Sequence, residues 1–132
     1  MEIARFISEK VNENKLGIIE LARKLVQVPS LSGDTKSLSQ IAGIISAEMK
    51  KSELSVEFIE AEKGLPNVIG RFQGSPSAPF LLFNGHTDVV PAKGGGEWLA
   101  DPFSAEVKDE LIYGRGACDM KGGLTAMLFA PR

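Results

Sequence analysis

The chain has 132 residues, 43% apolar and 24% charged, the proportions of one folded domain with a single core. Its 15 Lys and Arg are interspersed with 17 Asp and Glu for a formal net charge of -2, so no basic face for nucleic acid is expected. No Lys/Arg block follows an apolar helix to anchor a membrane surface, and the one cysteine, Cys118, offers neither an internal disulfide nor a thiolate-rich zinc site.

The N-terminal stretch MEIARFISEK is charged and interrupted, unlike a secretory core, and no apolar run approaches the roughly 20 residues that span a bilayer. A cytoplasmic protein without a membrane partner is expected. Ile18, Leu21, Ala22, Leu25 and Val28 recur at helical spacing, which predicts an amphipathic helix ended by Pro29 and followed by the loop SLSGD. A second helix is predicted over Lys36–Lys50, with Leu38, Ile41, Ile45 and Met49 on one face. Leu54, Val56 and Phe58 alternate with polar residues as in a half-buried strand, and Asn67–Phe72 is a second strand candidate.

GSPSAP then reads as a turn, and Phe80–Phe83 has the uniform apolarity of a central strand covered on both faces. KGGG, Lys93–Gly96, reads as a flexible connection. Glu106–Tyr113 predicts a short hairpin, in which Asp109-Glu110 replaces the Asp-Gly that a tight turn prefers and implies a looser one. The last stretch, GGLTAMLFAPR, starts a helix that Pro131 halts after about two turns. Helices alternating with strands make the fold class α/β.

The only histidine, His86, follows the Phe80–Phe83 strand in FLLFNGHTDVV. Positions i and i+2 of extended backbone share a side, which sets His86 beside Asp88 at a strand end, where open α/β sheets bind ligands. An imidazole that ligates a metal usually donates its other N–H to a carboxylate, a role open to Asp88. A lone histidine near a turn is more often a surface or core residue, and HxD alone is a weak signal. A divalent ion needs further donors, of which Asp119 is the best remaining candidate.

Asp119 lies in LIYGRGACDMKGG, where a strand runs through Gly114 and Gly116 into a helix. A dinucleotide fingerprint would place a third glycine where Asp119 stands, since a carboxylate there repels a pyrophosphate, and no GK[ST] completes a P-loop. A nucleotide-binding domain is therefore the poorer alternative. An acidic group suits a cation.

NGHTDVVP at Asn84–Pro91, WLADPF at Trp98–Phe103 and YGRGACDMKGG at Tyr113–Gly123 resemble, in order and spacing, consecutive blocks of one metallohydrolase family. It includes acetylornithine deacetylase, succinyl-diaminopimelate desuccinylase, aminoacylase and glutamate carboxypeptidase. The resemblance implies a partial three-layer α/β sandwich of a zinc-peptidase-like catalytic domain. It implies two divalent ions, zinc or cobalt, with His86 binding one, Asp119 bridging both and Asp88 orienting His86. It also implies a cis peptide at Asp119–Met120, and hydrolysis of N-acyl amino acids or small peptides by a metal-activated water, with a glutamate as general base.

The family's paired glutamates, its second histidine and the smaller domain that serves substrate binding and dimerisation belong downstream of the Asp119 block. Residues 1–132 are thus expected to be the N-terminal portion of a catalytic domain that lacks its dimerisation or lid domain. The full-length form is expected to be a homodimer and the isolated chain inactive, at best an interaction module. Trp98 and Phe103 are expected to pack, Arg115 and Lys121 to be solvated or locally paired, and Cys118 to be a small buried thiol.

Overall fold

A computed structural model describes residues 2–75, 77, 79–93 and 98–131. Two short helices open the chain, α1 (Glu2–Glu13) and α2 (Lys15–Val26), followed by α3 (Thr35–Lys51). Leu21, Leu25 and Val28 from α2 and its exit meet Ile41 and Ile45 of α3 and Leu124 and Leu128 of the last helix, α4 (Gly122–Phe129). In α2 and α3 these are positions whose 3.6-residue spacing predicts buried stripes, and α4, apolar on every side, closes the core over them. Asp34 starts α3 by accepting the Lys36 amide at 3.2 Å and the Ser37 hydroxyl at 2.7 Å, satisfying a donor that the first helical turn leaves open.

The helix α1 is an addition to the expected elements. Ile3, Phe6, Ile7 and Val11 fall on one face at helical spacing, a signal masked by the intervening charges, and no residue of α1 is buried. No helix among the described residues is long and apolar enough to cross a membrane.

Among the described residues the strands form two separate antiparallel ribbons. In the first, β1 (Ser55–Glu62) pairs with β2 (Leu65–Arg71), Phe58 facing Val68, with an irregularity between Glu60 and Glu62. Val56 is half-buried as expected, whereas Phe58 and Ile59 are exposed. The ribbon rests on the core mainly through Val68. In the second, β3 (Glu106–Lys108) pairs with β4 (Leu111–Tyr113), Lys108 facing Leu111. The turn between them is tight, not loose: Asp109 and Glu110 both take positive φ, 51° and 62°, the geometry of a two-residue hairpin loop even without glycine.

Phe80–Phe83 departs from expectation. It pairs with no strand among the described residues, and Phe80 and Leu81 are 89% and 78% exposed. A strand covered on both faces needs ladder partners and two layers above and below, and the two ribbons pair only within themselves. The proposed flexible connection KGGG falls on 94–96 beyond Lys93, outside the described residues, as do Pro76 and Ala78 of the GSPSAP turn.

Candidate active site

The site is assembled where three loops meet. After α2 the chain turns at Pro29 and runs alongside residues 87–89: the Val89 amide donates to the Ser30 carbonyl at 2.8 Å and the Ser32 amide to the Val89 carbonyl at 3.2 Å. Leu31 and Val89 form an isolated parallel bridge, and the Ser30 hydroxyl donates to the Thr87 carbonyl at 2.7 Å. Although Phe80–Phe83 has no ladder among the described residues, the segment carrying His86 and Asp88 is therefore pinned from its far side.

The third loop follows β4. Gly116 takes φ 81°, and a Cβ there would lie 2.6 Å from Val89 Cγ1, so only glycine allows this backbone to approach the His86 loop. A wound turn, Ala117–Lys121, follows, interrupted at Asp119 and Met120, whose backbone angles are not helical. The peptide between Asp119 and Met120 is cis, as the family resemblance implies. Met120 reaches back to the second loop, its sulfur accepting the His86 amide at 3.3 Å.

These contacts bring the three candidate residues together. His86 Nε2 lies 3.0 Å from Asp119 Oδ1. Its Nδ1 lies 3.2 Å from Asp88 Oδ1 and 3.1 Å from the Asp88 carbonyl, so His86 and Asp88 do share a side. The second Asp88 oxygen accepts the Ser32 hydroxyl at 2.5 Å. All three line a depression of about 240 Å³ with Arg115 and Cys118. A larger hollow of about 540 Å³, lined by Trp98, Tyr113 and Val26, holds none of the three.

The charges follow from the contacts. The Asp119 hydrogen bond raises the imidazole above its ordinary pKa, aided by Asp88 and opposed by burial. The Ser32 hydroxyl, with the histidine's field beside it, holds the Asp88 carboxyl below the ordinary carboxylate value. Both groups stand well into solvent, His86 with 48% of its side chain exposed and Asp119 with 86%, so the stability these pairs add is small.

His86 and Asp119 fit a pair of ligands to one divalent ion. Bonds of roughly 2.0–2.2 Å to nitrogen and oxygen in tetrahedral arrangement place two donors about 3.3–3.6 Å apart, a few tenths of an ångström more than the 3.0 Å separation seen. Their number falls short of a catalytic site, which takes about three protein ligands plus water. Among the described residues no group of three or more His, Cys, Asp or Glu side chains could hold a metal ion.

Other residues depart from expectation. Cys118 is exposed and not a buried thiol: it sits in the wound turn Ala117–Lys121, on the rim of the same depression as His86 and Asp119. Lys121 is fully buried rather than solvated, and its ammonium donates to the Val28 carbonyl at 2.7 Å. Burial without a carboxylate partner pushes its pKa down to about 8. Arg115 stacks over Trp98, 5.2 Å from the ring centroid, and Trp98 donates its indole N–H to the Ala92 carbonyl at 2.9 Å, in line with a packing role. Ser32 escaped sequence reasoning altogether. A serine in a polar loop carries no signal until the fold sets it against Asp88.

Residues 82–132 match the model of Peptidase family M20/M25/M40. An N-formyl-4-amino-5-aminomethyl-2-methylpyrimidine deformylase of Bacillus subtilis (strain 168) is 36% identical over 126 residues, which cover 94% of this chain and 30% of that protein. A succinyl-diaminopimelate desuccinylase of Gluconacetobacter diazotrophicus is 40% identical over 115 residues, 85% of this chain and 28% of that one. In fold, human carnosine dipeptidase 1 superposes with a TM-score of 0.83 at 22% identity, covering 93% of this chain and 29% of its own. The chain thus spans less than a third of the length of the relatives it matches. Its fold is that of a partial α/β domain, and the chain is similar to proteins of Peptidase family M20/M25/M40, whose model matches it over residues 82–132.

Proposed function

We propose that this segment is the N-terminal portion of the catalytic domain of a metal-dependent amidohydrolase. In this reading His86 and Asp119 are metal ligands, Asp119 bridges two divalent ions, zinc or cobalt, and Asp88 orients the imidazole. The substrate class is N-acyl amino acids or small peptides, in keeping with the desuccinylase and dipeptidase among the similar proteins. A cytoplasmic setting and a homodimer of the longer form belong to the same proposal.

The observation that carries the reading is the convergence of His86 Nε2 and Asp119 Oδ1 at 3.0 Å, with Asp88 on the opposite ring nitrogen. A proton held on Nδ1 by Asp88 leaves the Nε2 lone pair directed at the site, the tautomer a ligand needs. Divalent ions bound there would supply Lewis acidity towards a carbonyl oxygen and a lowered pKa for water. Gly85 lets this loop lie close to α4, since a Cβ there would stand 2.9 Å from the Leu124 and Met120 side chains.

The chain alone is proposed not to catalyse hydrolysis, because two donors leave an ion open to exchange. Titration with cobalt, followed by visible absorption, and with zinc by calorimetry tests both statements. Weak binding that disappears in His86→Ala and in Asp119→Ala is expected, without turnover of N-acetyl or N-succinyl amino acids. Binding unchanged by both substitutions would sink the ligand assignment, and turnover by the 132-residue chain would sink the claim of inactivity.

A further inference from the structure

Beyond the ligands and Asp88, we infer that Ser32 is a positioning residue of the site, fixing the Asp88 carboxylate so that His86 keeps its proton on Nδ1. The consequence for metal binding rests on the reading of His86 as a ligand; the effect on the imidazole does not.

A carboxylate on a half-exposed aspartate is free to rotate, and either oxygen can turn to water. Asp88 has one oxygen on the His86 ring at 3.2 Å and the other on the Ser32 hydroxyl at 2.5 Å, so rotation breaks both bonds at once. The hydroxyl comes from a fixed point, because the Ser32 amide donates to the carbonyl of Val89, the neighbour of Asp88, and Leu31 bridges Val89 beside it. The ring has one other acceptor at Nδ1, the Asp88 carbonyl at 3.1 Å, which Ser32 does not orient.

The same segment is tied to the opposite half of the site. Lys121, two residues beyond Asp119, donates to the carbonyl of Val28, four residues before Ser32. Residues 28–32 thus hold the His86 loop on one side and the Asp119 turn on the other, although they lie outside the region matching the family model, residues 82–132.

His86 is the only histidine, so ¹⁵N labelling of the imidazole gives one set of ring resonances. The tautomer ratio is read on metal-free protein at a pH where the ring is neutral, in an Asp119→Ala background that removes the rival acceptor at Nε2. The Nδ1–H form is expected to predominate there, and adding Ser32→Ala is expected to lower the ratio of Nδ1–H to Nε2–H severalfold. Ser32→Thr should retain the parent ratio and its isostere Ser32→Val should lose it, which separates the hydroxyl from the space it fills. A ratio unchanged in Ala and Val, or equally lost in Thr and Val, overturns the inference. In the chain with Asp119 intact, Ser32→Ala should weaken zinc binding, read on Nε2, by about three- to tenfold, less than loss of a group that contacts a ligand directly. If zinc leaves Nε2 of the unsubstituted chain unmoved, the metal reading fails while the tautomer ratio still decides the role of Ser32.

Discussion

Two apolar stretches of this chain meet opposite fates. Leu21, Leu25, Ile41 and Ile45 disappear into a core closed by α4, whereas Phe80–Phe83, equally apolar, stands in solvent. A helix needs only another helix to bury its stripe, but a two-faced strand needs ladder partners and two covering layers. The site lies at the end of the uncovered stretch, yet it is ordered by hydrogen bonds from Ser30 and Ser32 and by the Asp119 turn. Its geometry depends on loop contacts more than on the apolar stretch that precedes it.

Breaking the buried side of this comparison should have the largest effect. Leu25 is fully buried, and Leu25→Ala should cost about 2–5 kcal/mol through lost burial and the cavity left behind. Urea denaturation gives the value, and a loss below about 1 kcal/mol would show that α2 is not packed as described.

Next comes Lys121, whose ammonium joins the core to the site. Its folded pKa, about 8, lies below the ordinary 10.5, so the unfolded chain binds more protons between those values. Stability should therefore rise with pH from about 8 to 10.5, by up to about 3 kcal/mol at 1.36 kcal/mol per unit. Lys121→Met should flatten this rise. The Val28 carbonyl still accepts the Ser30 amide at 2.8 Å, so the substitution leaves no bare acceptor. Melting temperatures of both proteins across that window supply the comparison, and parallel curves would contradict the assignment.

How much of this was legible in the sequence divides along the same line. α2 and α3 were readable because their periodicity needs no distant partner, and the His86, Asp88 and Asp119 grouping because strand alternation and three ordered motifs pointed to it. α1 was missed where charges broke up a real helical stripe, and Phe80–Phe83 was misplaced because apolarity records what a segment suits, not what covers it. Ser32 and Lys121 were illegible for a different reason. Each acts on a residue 56 or 93 positions away, and a lysine in a glycine-rich turn reads as solvated until the chain exit from α2 closes over it.

A smaller effect concerns the site itself. Because the Asp119 hydrogen bond is the main cause of the raised imidazole pKa, Asp119→Asn should bring His86 back towards its ordinary value of about 6.5. The sign for stability follows: the charged pair contributes below the unfolded value and its contribution is lost as pH rises through the folded one. At this exposure the contribution is at most about 1 kcal/mol. NMR titration of the single histidine measures the shift, and an unchanged pKa would mean that the two side chains do not meet in solution.

The smallest effect sharpens the comparison from its exposed side. Leu81→Ser removes a side chain that is 78% exposed, so it forfeits little burial and should change unfolding free energy by no more than about 0.5 kcal/mol. The same substitution in a covered strand would cost several times that. A loss above about 1 kcal/mol that grows with protein concentration would mean that a second copy covers the stretch in solution. A loss independent of concentration would place Phe80–Phe83 inside the chain's own core, and the contrast with Leu25 would vanish.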